Sequence, residues 1–286
     1  MMEALSLPFF RNAALAALVL AGSHAYLGFH VVRRGVLFVD LALAQMAALG
    51  VSLGLVLGGE HDGSGAYLLA LGMTLVGAAL FAWLRGRSRR VPLEAFIGIV
   101  FATAQALAFL LLERAPSGAE HLKETLVGSL FTVDPKHVGF VAALYAVVGA
   151  IHWFLRRPFF EITQDPDGAE RRGRRLFLWD FLFYATFGLV VTSAVQIAGV
   201  LLVFGFLVIP AVAGVMATDR TGVALAIGWT FGFSASVVGL LGSVQLDLPA
   251  APAILVTLSA MLLVHGAALA LLRRGKPAPP VVRATH

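Results

Sequence analysis

Asp40 and Gln45 stand inside FVDLALAQMAALGVSLGLVLGG, residues 38–59, a run otherwise apolar enough for lipid. A carboxylate in such a run is costly unless it faces protein or water, so it marks a place where a cation or a proton is handled. His24, His30, His152 and His265 also fall within long hydrophobic runs. An imidazole there is a ligand or, more often, a hydrogen-bonding group in helix packing. With Gln105 as a second intramembrane amide, the candidate lining of a polar path is Asp40, Gln45, His24 and Gln105, and Asp40 is the candidate metal ligand. At about 1.5 Å per residue, His24 and Gln45 lie about 12–14 Å from the inner ends of the first two helices, and His30 and Asp40 about 3–6 Å. Two antiparallel neighbours can therefore carry two facing polar pairs. Alternatively, Asp40 bonds His30 or pairs with Arg33 or Arg34 near the inner surface.

Other chemistry is excluded. Gly50, Ser52 and Gly54 match G-x-S-x-G, but a nucleophile elbow needs a strand, a turn and a helix, and this match lies within an apolar helical run. The sequence contains neither H-E-x-x-H nor a P-loop, since its one Gly-Lys pair, Gly275 and Lys276, is followed by Pro277. With no cysteine, disulfides, thiolate metal sites and Cys nucleophiles are absent. Glu60, His61 and Asp62 either attract cations outside the membrane or form a solvated loop tip, and the two readings weigh equally. No enzyme constellation and no cofactor emerge.

The elements that position these residues are membrane helices. The chain is 59% hydrophobic and 13% charged, with mean hydropathy +0.88, against about 45–50% and about 25% in soluble domains. Apolar runs of spanning length occur at 10–32, 36–59, 65–84, 92–112, 137–155, 176–196, 197–217, 221–241 and 250–272. The expected fold is an all-α polytopic bundle of about nine transmembrane helices, forming one domain over 1–286. Most of the 21 Lys and Arg collect on one side, among them Arg33, Arg34, Arg85, Arg156, Arg157, Arg171, Arg172, Arg174, Arg175, Arg220 and Arg273. The other side holds Arg11, Arg114, Lys123 and Lys136. By the positive-inside rule the N-terminus is outside and the C-terminus cytoplasmic. The +5 charge is topological, and nucleic acid is not implied. Ser23 to Ala25 loosely resembles a signal-peptidase site, but Glu3 and the long apolar run favour a retained first helix.

Small-residue ladders, Gly50, Gly54 and Gly58 and then Gly228, Gly232 and Ser236, predict close helix packing. Pro210 predicts a kink. Outside, Ser117 and Glu120 fit a capping box that opens a short helix over about 117–131. Inside, Asp165 and Pro166 read as an N-cap with proline at the first helical position, opening a short basic helix through Glu170 to about Arg175. That helix either lies on anionic lipid or docks a cytoplasmic partner. A tail of about 275–286 follows the last helix.

Over about Leu27 to Leu272 the chain resembles the permease family of ABC-type zinc, manganese and iron importers. RRGVLFVDLALAQMAALGVSLG is similar to the family's Gly-Asp-Ala-Leu-Ser-His-Ala followed by Gly-Val-Ala-Leu-Gly. HLKETLVGSLFTV is similar to its external Leu-Phe-Gly-Ser-Ile-Leu segment. VQIAGVLLVFGFLVIPAVAGVMATDR, followed by DLPAAPAI, resembles its proline-containing block and is the most specific part. The resemblance implies a homodimeric transmembrane subunit in the cell membrane, working with two cytoplasmic ATPase subunits and an external solute-binding protein. It places ATPase docking on 161–175, with Asp165, Asp167, Glu170, Arg171 and Arg172 as candidates. One departure concerns the metal: Gln45 falls where the family has its gating His, and Leu41 on its Asp, with Asp40 one residue earlier. The family's pair stands at i and i+4, whereas Asp40 and Gln45 are separated by about 140° around the helix. An amide also binds zinc or manganese more weakly than imidazole. The leading expectation is an importer of a divalent metal. A metal chelate or another small solute is second, and an ion-coupled carrier using Asp40 is third.

Overall fold

Hydrocarbon offers no partner for backbone N–H and C=O groups, so a spanning segment must bond within itself as a helix. The structure, a computed structural model, describes residues 8–57, 64–85, 91–113, 128 and 130–273. Among these residues no strand occurs, and the helices are α1 (Pro8–Arg34), α2 (Val39–Val56), α3 (Ser64–Leu84), α4 (Leu93–Leu112), α5 (Pro135–Phe154), α6 (Arg156–Gln164), α7 (Pro166–Arg171), α8 (Leu176–Ala217), α9 (Thr221–Leu246) and α10 (Ala250–Arg273). All but α6 and α7 are long and apolar enough to cross a membrane.

Helix α8 has 42 residues; straight, it would measure about 63 Å, twice the hydrocarbon thickness. Gly199, at φ 73° and ψ 159°, is its one non-helical residue and occupies a region open essentially to glycine alone. The chain reverses there. The Phe183 ring lies 5.7 Å from that of His30, and the Leu207 backbone lies against Gly28, one helical half-turn away. On a straight rod Phe183 and Leu207 would stand about 36 Å apart. The two rods, 176–198 (α8a) and 200–217 (α8b), match the two spans expected from length. The kink expected at Pro210 is not seen in the dihedrals, which stay helical through it. Glycine's positive φ reverses the chain, whereas proline's φ is itself close to helical and lets the rod continue despite the lost hydrogen bond.

Helix α8 is the centre of the bundle, packing on α1, α2, α3, α9 and α10, while α2 packs on α3 and α4. Phe183, Tyr184, Phe187 and Phe206 are fully buried along it. The glycine ladders join helices of the same chain. Gly50 lies against the Leu69 and Ala70 backbone of α3, and a methyl on Gly232 would sit 3.1 Å from Ala21 Cβ. Gly58, the loop tip at Glu60 to Asp62, the tail after Arg273 and most of the expected external helix lie outside the described residues. Its visible end is a single 3-10 turn, Leu130–Thr132, with Leu130 buried.

Gly199→Ala should destabilise the folded protein by about 1–3 kcal/mol, the cost of forcing a side chain into that backbone region. Thermal inactivation in detergent checks this, and Pro210→Ala, in regular helix, should cost less.

Candidate functional site

Asp40 enters the first turn of α2 and is 1% exposed. No other side chain hydrogen-bonds either of its carboxylate oxygens, and only the backbone N–H groups of Asp40 and Leu41, at the helix start, act on them. Arg33 reaches Asp219 instead (3.7 Å), and Arg34 pairs with Asp180 (2.9 Å), so the expected pairing of Asp40 with an inner arginine does not form. His30 does not meet Asp40 either. Helices α1 and α2 do not pack along each other; α8a stands between them, touching His30 through Phe183 and Leu43 at Gly188. The two facing polar pairs are therefore absent.

What approaches Asp40 is Glu94, at the start of α4. Glu94 Oε1 accepts from the Phe38 backbone N–H at 3.0 Å and so serves the open N-terminus of α2. Its Oε2 is buried without a partner, and the two carboxylates are close enough to act on each other electrostatically. Gln45 is 6% exposed on α2, and Gln105 is half-buried on α4, the helix packed against it. Asp40, Glu94, Gln45 and Gln105 thus belong to one helix pair, and His24 does not. Among the described residues no group of three or more His, Asp or Glu is placed to hold a metal ion.

The histidines form a second polar region, between α1, α5 and α6. His24 Nδ1 donates to Leu20 O (2.7 Å). The Thr163 hydroxyl donates to Phe159 O (2.7 Å), so its oxygen accepts from His30 Nδ1–H (2.8 Å) and Arg34 Nε–H (3.0 Å). In the same way Thr186 donates to Leu182 O (2.8 Å) and accepts from His152 Nε2–H (2.9 Å). Each ring thus has one nitrogen committed to protein and one buried lone pair without a partner. His265 bonds Ala213 O at 3.2 Å.

Asp180 is buried between Arg34 and Arg85 and joins α1 and α8a to the end of α3. Sequence gave no signal for this triad, for Thr163 or for Glu94, because each looks like an ordinary helix-end residue until its partner, far along the chain, is known.

On the cytoplasmic side the Asp165 side chain accepts from Gly168 N (2.9 Å) and Pro166 opens α7, as the capping pattern predicts. The helix ends at Arg171 rather than Arg175, because Gly173 takes φ 84°. Helix α6 was not foreseen; it buries Phe159, Ile162 and Thr163 under the bundle. Asp167, Glu170 and Arg171 are exposed, while Arg172 bonds Glu161 and lies 3.7 Å from Asp165. Glu161 also accepts from Arg174 (3.1 Å). The Arg172 hydrogen bond first, then Arg174, holds the Glu161 carboxyl below its usual range.

A family model described as the ABC 3 transport family matches residues 6–269. The manganese transport system membrane protein MntC of Halalkalibacterium halodurans is 24% identical over 259 residues, covering 91% of this chain and 87% of that protein. The zinc transport system membrane protein TroC of Treponema pallidum is 28% identical over 260 residues, covering 89% and 87%. The solved structure of PsaBC from Streptococcus pneumoniae, in complex with Fab, superposes with a TM-score of 0.76 at 23% identity, covering 92% of this chain and 93% of that one. That likeness is one of fold.

A carboxyl with a depressed pKa contributes its contacts above the unfolded value of 4.5 and loses them as pH falls through the lower folded value. The α6–α7 staple should therefore stay closed at neutral and mildly acidic pH and open only as pH falls below the ordinary carboxylate value of 4.5. Glu161→Gln should loosen it at neutral pH. Hydrogen exchange of 161–175 against pH reads both.

Proposed function

The chain belongs to the ABC 3 transport family and is a multi-pass membrane protein; from that premise we propose that it forms the membrane path of an importer for a divalent transition metal. The observation that carries the cargo assignment is the carboxylate of Asp40, buried in the bundle with no other side chain bonded to either oxygen. A cation leaving water needs a compensating anionic or dipolar group at that depth. Asp40 supplies the charge, Glu94 a second carboxylate, and Gln45 and Gln105 lie on the same helix pair. These are all oxygen donors, which suit manganese better than zinc. Importers named for manganese and zinc both stand among the relatives.

The remaining parts of the machine follow from the family. The permease has no P-loop and takes its energy from a separate cytoplasmic ATPase docked on α6 and α7. An external solute-binding protein delivers the cargo, and two copies of the chain assemble. The exposed charges of Asp167, Glu170 and Arg171 form the docking face; Asp165, Arg172 and Glu161 hold its shape. The second reading, a metal chelate as cargo, draws on Leu41 and Gln45, which occupy the i, i+4 face without a charged ligand.

Asp40→Ala should abolish metal uptake by reconstituted complexes while expression, membrane insertion and ATPase recovery stay normal. Normal uptake by Asp40→Asn would remove the charge from the mechanism. Leu41→Asp combined with Gln45→His restores an i, i+4 pair and should raise zinc transport over the parent; no gain would count against a path along that face.

Replacing 165–172 by a Gly/Ser linker should sharply lower recovery of the ATPase with the permease. Unchanged recovery and unchanged ATPase stimulation would overturn the docking assignment.

A further inference from the structure

Helix α5 packs on α1 and α8a but not along α9, and the gap between α5 and α9 holds a cavity of about 320 Å³. The Trp229 indole closes one side by donating to Gly22 O at 2.9 Å. Leu27, Val148, Val190 and Leu225 make its walls apolar. Two buried polar atoms of residues lining it have no protein partner, the Tyr26 hydroxyl and His152 Nδ1. The Thr186 geometry commits the His152 proton to Nε2, so Nδ1 is a bare acceptor; Tyr26 is available as a donor.

Arg156 stands at the cytoplasmic end of this cleft, just past α5, with its guanidinium 4.4 Å over the Trp153 ring. It is exposed and forms no ion pair among the described residues. From Arg156 to Tyr145, the cavity follows α5 for about 16 Å into the hydrocarbon region. The rim is exposed and apolar at Trp153, which is 66% exposed.

We propose that this cleft binds an anionic phospholipid of the cytoplasmic leaflet. The phosphate sits on Arg156, where an unpaired cation at the basic side of the bundle meets anionic headgroups. The glycerol esters lie deeper than the phosphate, at the level of His152, and the Tyr26 hydroxyl donates to an ester carbonyl. One acyl chain runs along Val148 and Val190. A free anion would leave that slot empty, and a second copy of the chain would have to bring both a counter-charge for Arg156 and an apolar wedge. Neither the cargo nor the docking assignment enters this inference.

Native mass spectrometry of the delipidated full-length protein, titrated with phosphatidylglycerol or phosphatidylethanolamine, tests it. The wild type should take up one phosphatidylglycerol per chain that phosphatidylethanolamine does not displace. Arg156→Gln should weaken binding about tenfold, as loss of one charge-assisted hydrogen bond predicts, and Tyr26→Phe should weaken it by a smaller factor. Equal phosphatidylglycerol binding by wild type and Arg156→Gln would overturn the proposal. So would displacement of the lipid by millimolar inorganic phosphate, which marks a free-anion site. Efficient cross-linking between copies through Gly149→Cys, which lines the cleft with open space before it, would show a second chain covering the cleft and would overturn it as well.

Discussion

The Asp180 carboxylate is buried completely and takes hydrogen bonds from Arg34 and Arg85, so three helices meet at one charge on the inner side of the bundle. Burying ions costs several kcal/mol each, and the arrangement stands only because the partners are in place together. Removing one member of such a set typically costs about 3–5 kcal/mol, a large share of the about 5–15 kcal/mol that holds a domain folded. Arg34 is further held 4.0 Å over the Phe183 ring and donates to Thr163 on the cytoplasmic helix α6. A rigid connection therefore runs from the segment below the membrane to the central helix pair. The positions of His30, Phe183 and Thr163 all follow from it.

Most of the architecture is legible in the sequence because its cause is local. A run of apolar residues long enough for a bilayer is a helix wherever it occurs, and the block from Leu176 to Ala217 had to be two spans because one would be too long. Asp165 and Pro166 announce a helix start by their own chemistry. The polar interior is different. Asp180, Glu94 and Thr163 gain their roles from Arg34, Phe38 and His30, partners tens of residues away or more, and no periodicity records such a pairing. The pairing expected between α1 and α2 failed for the same reason. Sequence adjacency suggested that they were neighbours, and α8a, far along the chain, came between them.

The buried histidines and Asp40 illustrate two ways of placing polarity in hydrocarbon. Each imidazole fixes its tautomer by giving a proton to a carbonyl or hydroxyl oxygen, which leaves one lone pair open. Asp40 makes no such compromise, and neither oxygen is taken by another side chain. The first arrangement is stable by itself and can still receive a ligand. The second is complete only when a cation or a proton arrives, and that difference is the ground for proposing Asp40 rather than the histidines for the path.

The reversal at Gly199 joins two rods with no intervening loop. Such a joint has no slack, so neither rod can slide along the other by even one residue. What remains is splaying, as in a pair of tweezers held at the closed end. Displacement then grows with distance from Gly199 and is greatest at Leu176 and Ala217. Those ends lie beside the Asp180 clamp and the Arg33–Asp219 contact, so the ion pairs stand where leverage on the two rods is greatest.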